Sequence, residues 1–214
     1  MLLEFIRSHT ALAAVPFVPE IVLYQADEPI ALWEETESAG AEQPPPFWAF
    51  AWAGGQALAR HVLDHPELVA GRSVLDLATG SGLVAVAAAR AGAFPVTAND
   101  IDPYSLAAAE ANAQANNVKI RPIEVDLLTP GLLETEEEYG VILAGDVFYS
   151  REMAGRVLPF LRRAAGRGAL VLVGDPGRAY LPVDAMIKQV SYDVPVSEAL
   201  ESVPTRHTTV WQVR

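Results

Sequence analysis

The sequence predicts an α/β fold, a mostly parallel sheet of seven strands with helices on both faces. Short, continuous apolar runs such as Ser73-Val74-Leu75-Asp76-Leu77 and Ala169-Leu170-Val171-Leu172-Val173 are typical of strands that are covered on both faces. Segments of helical length and helical apolar spacing stand between these runs. A glycine-rich turn also joins the first of these strands to a helix, as in open sheets that bind a ligand at the carboxyl ends of their strands.

The central region alternates strands and helices in a regular order. Strands are predicted over residues 73–77, 95–99, 120–125, 141–144 and 169–173. Helices are predicted from Gly54-Gly55 to about His65 and over residues 83–91, 105–116 and about 152–165. The last two apolar runs, residues 190–196 and 208–213, have no helix between them. They therefore predict an antiparallel C-terminal hairpin at the sheet edge.

The segment before Phe47 has a different pattern. Residues 2–12 have the apolar spacing of a helix, and the apolar runs at residues 21–24 and 30–33 flank Asp27-Glu28-Pro29, which predicts a hairpin. Residues 34–46 are polar and then proline-rich, as expected of an exposed linker. We therefore predict an N-terminal extension of helix, hairpin and linker over residues 1–46 and an α/β domain over residues 47–214.

Composition and charge exclude several classes of protein. The chain has no cysteine, and its four histidines lack metal-binding spacing, so we predict no metal site. No apolar run approaches the roughly 18 residues of a membrane span, and residues 1–7 do not resemble a signal peptide. The net charge of −12 opposes binding to nucleic acid and favours basic partners. We predict a cytoplasmic protein with no membrane or nucleic-acid partner.

The glycine-rich turn predicts a nucleoside cofactor. Gly80-Ser81-Gly82-Leu83-Val84-Ala85 fits the pattern G-x-G-x-x-G/A between a strand and a helix, and Asp100 follows 20 residues after Gly80. Glycine at these positions lets the backbone approach a ligand closely. A carboxylate at the end of the next strand can accept hydrogen bonds from both ribose hydroxyls.

Asp76, at the end of the first strand of this unit, distinguishes between nucleoside cofactors. A carboxylate beside the turn would repel the pyrophosphate of a dinucleotide, whereas S-adenosylmethionine carries an ammonium and a sulfonium instead. Asp126 and Asp146 follow the next strands, so four acids lie at one edge of the sheet, and Asp126 is placed to accept from an adenine amino group. We therefore predict S-adenosylmethionine as the cofactor, with Asp76 also able to serve as a structural cap.

Several segments together carry a resemblance to a known family. They are Pro46-Phe47-Trp48-Ala49-Phe50-Ala51-Trp52-Ala53-Gly54-Gly55-Gln56-Ala57-Leu58, residues 73–82, Ala98-Asn99-Asp100-Ile101-Asp102-Pro103, Gly145-Asp146-Val147-Phe148-Tyr149, Gly174-Asp175-Pro176-Gly177-Arg178 and Thr208-Thr209-Val210-Trp211. The sequence resembles the seven-β-strand (class I) methyltransferases, whose fold is Rossmann-like. More narrowly, it resembles the electron transfer flavoprotein β-subunit lysine methyltransferase family. Ala78 departs from the pattern, because relatives often have a third glycine there.

The resemblance implies roles for individual residues. It implies cofactor contacts from Asp76, Gly80, Gly82, Asp100 and the segment around Trp52. It implies substrate-side roles for Asp146, Phe148 and Tyr149, and it implies methylation of lysines on the β subunit of electron transfer flavoprotein.

The acceptor lysine must be neutral to react, although its free pKa is about 10.4. We therefore hypothesise that Trp48, Phe148 and Tyr149 line an aromatic slot that desolvates the amine, and that Asp146 orients it rather than acting first as a base. Alternatives are a methyltransferase for a ribosomal protein, a small molecule or RNA, and a nicotinamide-dependent oxidoreductase or a non-catalytic nucleotide-binding module. Core packing is the alternative role of the aromatic residues, and a loop salt bridge is the favoured role of Arg178.

Overall fold

The computed structural model describes residues 2–26, 32–33, 45–129, 139–197 and 203–214. Two sheets and five α-helices form these parts of the chain. The strands are β1 Ala11–Val15, β2 Val18–Gln25, β3 Val74–Leu77, β4 Val96–Asp100, β5 Arg121–Glu124, β6 Val141–Gly145, β7 Leu170–Asp175, β8 Met186–Pro195 and β9 Thr205–Val213. The helices are α1 Leu2–His9, α2 Ala53–Asp64, α3 Leu83–Arg90, α4 Pro103–Ala115 and α5 Arg151–Gly166, with single 3₁₀ turns at Phe47–Ala49, Pro66–Leu68 and Val183–Ala185.

The main sheet has seven strands in the order β5-β4-β3-β6-β7-β9-β8. β3 to β7 pair in parallel, and β9 pairs antiparallel with both β7 and β8. This confirms the predicted fold, including the C-terminal hairpin. The strand order reverses beside β3, which places the turn after this strand in the crevice where open α/β sheets bind ligands.

Alternate residues of the central strands enter two separate cores. Val74 and Leu143 pack against α2 and α3 on one face of the sheet. Leu75 and Ile142, their neighbours in sequence, pack against α5 on the other. Successive side chains of a strand point to opposite faces, so strands that are covered on both faces need apolar residues at nearly every position.

The N-terminal hairpin is present, but its predicted position was wrong. Residues 21–24 lie in β2, and β2 pairs with β1, which precedes it, through a turn at Pro16 and Phe17. The predicted partner strand, residues 30–33, is described only at Leu32 and Trp33, which are helical. Helix α1 ends at His9 instead of near Leu12, because residues 11–15 belong to β1. Most of the predicted linker, residues 34–44, lies outside the described residues.

Two buried asparagines of α4 hold the hairpin in place. Asn112 Oδ1 accepts from the Tyr24 N–H at 2.7 Å, and Asn116 Oδ1 accepts from the Val22 N–H at 3.1 Å. Asn112 Nδ2 also donates to the Ser81 carbonyl at 2.8 Å, so one side chain links the hairpin to the glycine-rich turn. The division into residues 1–46 and residues 47–214 stays a prediction. No helix within the described ranges is long and apolar enough to cross a membrane.

Candidate active site

A cavity of about 330 Å³ opens at the carboxyl ends of the parallel strands. Its wall is built from the glycine-rich turn, the ends of β4, β5 and β6, the segment before α2 and the loop after β7. Among the residues that line it are Phe47, Trp52, Gly55, Asp76, Ala78, Thr79, Gly80, Asp100, Ile101, Asp126, Asp146, Tyr149, Arg156 and Arg178. The strand-end carboxylates therefore converge as predicted, while Gly82, Trp48 and Phe148 do not line the cavity.

Asp76 caps the helix that follows the glycine-rich turn. Its Oδ2 accepts from the Ala85 N–H at 2.9 Å and from the Thr79 hydroxyl. Burial raises the pKa of Asp76 to about 7, against the lowering effect of these two hydrogen bonds. The carboxylate thus lies near the N-terminal end of α3, where a dinucleotide cofactor would place its pyrophosphate.

The turn itself adopts left-handed backbone conformations. Gly80 has φ 51° and Gly82 has φ 77°. A Cβ on Gly82 would lie 2.7 Å from the backbone of Ala109, so this glycine allows α3 and α4 to approach each other and contributes no cavity wall. Ala78 has φ 53°, a conformation that costs a residue with a Cβ about 1–2 kcal/mol. A glycine at this position would adopt the same conformation without that cost.

Asp100 lies at the end of β4 beside the turn. Its Oδ2 accepts from the Gly80 N–H at 3.0 Å, and its Oδ1 accepts from the Asp102 N–H at 3.1 Å. Burial raises the pKa of Asp100 above its usual range. Asp102, in contrast, is an ordinary N-cap, because it accepts from the Tyr104 and Ser105 amides at the start of α4.

Asp126 is part of an ion pair at the wall of the cavity. It accepts from Arg156 and from the Thr129 hydroxyl, while its Oδ1 accepts from the Leu128 N–H at 3.1 Å. The hydrogen bond from Arg156 lowers the pKa of Asp126. The half-exposed carboxylate can still accept further hydrogen bonds, since two oxygens offer about four acceptor sites.

Asp146 is a cavity carboxylate that is held at both of its oxygens. Its φ of 58° turns the chain sharply at the end of β6. Its Oδ2 accepts from the Gly55 N–H at 2.9 Å, and its Oδ1 accepts from Arg178 Nη2 at 2.8 Å. The predicted loop salt bridge of Arg178 is thereby confirmed. Its partner is Asp146, the residue predicted to orient the acceptor amine.

Glycines bring the backbones around Asp146 into direct contact. A Cβ on Gly54 would lie 2.2 Å from the Gly174 carbonyl oxygen, and one on Gly174 would lie 2.0 Å from the Gly54 oxygen. A Cβ on Gly145 would lie 2.9 Å from Gly55. The start of α2 can therefore pack against the ends of β6 and β7 and present the Gly55 N–H to Asp146.

The aromatic residues divide into a cavity wall and a core. Phe47 lies with its ring centroid 5.9 Å from that of Trp52 and 5.9 Å from that of Tyr149, and all three line the cavity. Trp48 is only 2% exposed and stacks on Tyr104 at 6.2 Å, away from the cavity.

Phe148 is fully buried in the core that contains α5. The hypothesis that Trp48 and Phe148 line the slot is therefore not supported by their positions. Phe47 was not among the predicted site residues, because nothing in the sequence distinguishes it from the adjacent Trp48.

The chemistry of the cavity fits a cofactor that carries positive charge and no phosphate. Among the residues that the structure describes, five carboxylates line it against two arginines, and Arg156 and Arg178 each pair with one of these acids. The remaining acids surround the glycine-rich turn, where a pyrophosphate would be repelled and an ammonium or sulfonium attracted. Apolar residues beside Asp100 and Asp126, such as Ile101 and Leu127, can cover an adenine ring.

Comparisons with known proteins find the same fold in methyltransferases. The family model described as ribosomal protein L11 methyltransferase (PrmA) matches residues 57–147. A solved ribosomal protein L11 methylase from Lactobacillus delbrueckii subsp. bulgaricus superposes with a TM-score of 0.53 at 21% identity, over 77% of this chain and 81% of that one. A Pyrococcus abyssi tRNA (uracil-54, C5)-methyltransferase in complex with S-adenosyl-L-homocysteine has a TM-score of 0.52 at 16% identity, over 72% of this chain and 38% of that one.

The family model and the curated relatives, together with the cavity, identify the chain as an S-adenosylmethionine-dependent methyltransferase. An electron transfer flavoprotein beta subunit lysine methyltransferase from Xenopus laevis is 36% identical over 97% of this chain and 85% of its own length. One from Homo sapiens is 34% identical over 90% of this chain and 74% of its own length. The chain belongs to the electron transfer flavoprotein beta subunit lysine methyltransferase family. The predicted family and the predicted cofactor are confirmed, and the alternative of a nicotinamide-dependent oxidoreductase is set aside.

Proposed function

We propose that this protein transfers methyl groups from S-adenosylmethionine to lysine side chains of the electron transfer flavoprotein β subunit. The observation that carries the proposal is the pairing of a fixed carboxylate, Asp146, with an aromatic wall at the mouth of the same cavity. The relatives that match most of the chain have this substrate in their names. A cytoplasmic location and the lack of a nucleic-acid partner belong to the same proposal.

We assign the cofactor to the side of the cavity formed by the glycine-rich turn. Asp100 would hold the ribose hydroxyls, Asp126 would accept from the adenine amino group, and Gly80 would allow close approach of the backbone. Asp76 would act mainly through the turn that it caps, and Gly82 through the packing of α3 on α4. When bound, S-adenosylmethionine supplies an electrophilic methyl group to the acceptor nitrogen.

We assign the acceptor lysine to the side of the cavity near Asp146. Phe47 and Tyr149 are 41% and 52% exposed, so a protein surface can contact both rings at the mouth. Together with Trp52 they can surround the aliphatic part of a lysine side chain and remove water from its amine. Desolvation lowers the pKa of an amine, which raises the fraction that carries a free lone pair.

Asp146 then serves to orient the amine. Both of its oxygens already accept hydrogen bonds, from Gly55 and Arg178, so the carboxylate is fixed in direction. A fixed acceptor can align the nitrogen with the methyl group, and alignment alone contributes a large part of the rate in such reactions. We therefore keep Asp146 as an orienting group.

The match to the ribosomal protein L11 methyltransferase model ends at Val147, before Tyr149 and Arg178. It therefore covers the cofactor side of the cavity more than the acceptor side, which favours the flavoprotein over a ribosomal substrate. The test is incubation of the purified protein with methyl-labelled S-adenosylmethionine and either recombinant electron transfer flavoprotein or ribosomal protein L11.

Mass spectrometry should find methylated lysines on the flavoprotein β subunit. Asp146→Asn should reduce the rate about 100-fold, as expected when an acceptor amine loses its alignment, while the protein still binds S-adenosylhomocysteine. Label on L11 alone, or on neither protein, would contradict the proposed substrate. Cell fractionation with an antibody to the protein tests the cytoplasmic location.

A further inference from the structure

Arg178 brings a positive charge to the acceptor side of the cavity. Its Nη2 lies 2.8 Å from Asp146 Oδ1, and its Cζ lies 5.8 Å from the centre of the Trp52 ring. Arg178 and Trp52 both line the cavity. The guanidinium therefore lies between the two groups that the proposed function assigns to the acceptor lysine.

The buried carboxylate of Asp175 holds the backbone of Arg178 in place through hydrogen bonds. Asp175, at the end of β7, is 1% exposed, and its Oδ1 accepts from the Gly177 N–H and the Arg178 N–H at 2.7 Å each. Gly177 has φ 84°, which allows the tight turn between them. The loop thus directs the arginine side chain to one place, as expected of a residue whose charge has a positional role.

We propose that Arg178 is a positioning residue of the methyl transfer, and that its fixed charge beside Asp146 makes the acceptor subsite bind lysine as the neutral amine instead of the ammonium. This inference rests on the proposed function. The guanidinium offsets the charge of Asp146, which would otherwise stabilise an ammonium, and it repels an ammonium directly. Unit charges a few ångströms apart near a protein surface shift a pKa by about one to three units.

The acceptor lysine must lose a proton before it can react, so the charge beside its amine affects the rate. The lysine ammonium loses its proton to water before transfer, and the nitrogen lone pair then forms the new carbon–nitrogen bond while the methyl–sulfur bond breaks toward sulfur. An Asp146 without a cationic neighbour would capture the ammonium well but hold it in the unreactive form. Arg178 keeps the orienting oxygen in place while removing that preference.

Other charged groups face this subsite and must be considered in any pH profile. They are Asp175 behind Arg178, Tyr149 at the mouth, and Asp76, Asp100, Asp102, Asp126 and Arg156 farther along the cavity. Burial raises the pKa of Asp175 to about 6 and that of Tyr149 above its usual range, so neither changes charge between pH 7.5 and 9. Burial raises the pKa of Asp76 to about 7, so measurements begin above that pH.

The kinetic test compares Arg178→Gln, Arg178→Lys and the control Arg162→Gln, which removes an exposed charge from α5. The pH profile of kcat reports groups in the enzyme–substrate complex. With the flavoprotein β subunit as substrate, kcat rises with pH. In Arg178→Gln the midpoint of that rise should lie about one pH unit higher than in the wild type. Its kcat should be about tenfold lower than that of the wild type at pH 7.5, and the difference should narrow as the pH rises to 9. Arg178→Lys and Arg162→Gln should retain the wild-type profile.

A binding measurement provides a readout that is independent of turnover. Calorimetry at pH 7.5 with S-adenosylhomocysteine present compares two peptides. One contains the unmodified acceptor lysine, and the other contains norleucine, an uncharged analogue, at the same position. Arg178→Gln should increase the preference for lysine over norleucine about tenfold, since an ammonium would no longer be repelled.

A loss of kcat that is equal at every pH, or an unchanged lysine preference, would overturn the inference. A wild-type protein that methylates no lysine of the flavoprotein would instead contradict the proposed function.

Discussion

Asp146 and Gly55 lie 91 positions apart in the sequence, yet Asp146 Oδ2 accepts from the Gly55 N–H at 2.9 Å. This hydrogen bond connects the sharp turn after β6 to the first turn of α2. It exists because the backbone at Gly54 and Gly55 touches the backbone at Gly145 and Gly174 without any intervening side chain. The packing of α2 against the ends of β6 and β7 therefore sets the direction of the Asp146 carboxylate.

Substitution Gly174→Ala should disturb this contact. The new Cβ would lie 2.0 Å from the Gly54 carbonyl oxygen, so α2 must move away from the sheet. Such overpacking costs about 1–3 kcal/mol of the free energy of unfolding, measurable by urea denaturation. The methylation rate should fall as well, since the Gly55–Asp146 bond lengthens.

Gly155→Ala is the matched control for that substitution. Gly155 is exposed in α5, and an added Cβ would meet no atom of the described part of the chain within 4 Å. This change should stabilise the protein by about 0.5–1 kcal/mol, because alanine favours the helix. Equal stability of the two alanine variants would show that the glycine contact has no energetic importance.

The aromatic wall can be separated from the aromatic core by two neighbouring substitutions. Phe148→Ala should cost about 3–5 kcal/mol of unfolding free energy, because Phe148 is fully buried. Tyr149→Ala should change stability little and raise KM for the protein substrate about 3- to 10-fold, since Tyr149 lies at the mouth and aromatic contacts contribute about 0.5–1.5 kcal/mol. Steady-state kinetics and thermal melts distinguish the two, and a higher KM for Phe148→Ala at full stability would restore the original slot hypothesis.

The strands, the glycine-rich turn and the strand-end acids could be predicted because each leaves a local pattern. The strand Val74–Leu77 is apolar at every position except Asp76. Asp100 follows Gly80 at the spacing expected of a ribose-binding acid. The N-terminal hairpin was misplaced because the apolar run in β2 has two possible partners, and sequence alone does not say which one pairs with it.

The orientation of single side chains at the mouth could not be predicted. Phe47 and Trp48 are adjacent aromatics in a 3₁₀ turn, and only the packing of Trp48 on Tyr104 decides which one faces the cavity. Phe148 and Tyr149 are separated in the same way by the left-handed turn at Asp146. The pairing of Arg178 with Asp146 depends on a sheet contact between distant segments, for which the sequence carries no local signal.

Asp100 offers the most direct test of the cofactor side. Substitution Asp100→Asn should raise the Kd for S-adenosylhomocysteine about 10- to 100-fold, because hydrogen bonds to a charged acceptor contribute about 1.5–3 kcal/mol. Calorimetry with the product is preferred, since no turnover occurs during the measurement. Asp184→Asn, which alters an exposed acid remote from the cavity lining, should leave the Kd unchanged. A Kd within twofold of wild type in Asp100→Asn would remove this residue from the ribose site.

Asp76 should make stability depend on pH. Its pKa is raised by burial to about 7 in the folded protein, whereas an unfolded aspartate titrates near its ordinary value of 3.8. Between these values the folded state binds more protons than the unfolded state, so the free energy of unfolding falls as pH rises. The contribution of Asp76 is fully present below about pH 4 and is lost as the pH passes through 7.

Asp76→Asn removes this titration while keeping one oxygen that can accept from Ala85. The stability of the variant relative to wild type should therefore increase by about 2 kcal/mol between pH 5 and pH 7.5, as measured by urea denaturation at both values. Asp184→Asn, which replaces an exposed acid outside the cavity lining, serves as the control. A stability difference between Asp76→Asn and wild type that is the same at both pH values would show that Asp76 is already ionised in the folded protein at pH 5, and that the hydrogen bonds to its Oδ2 outweigh the effect of burial.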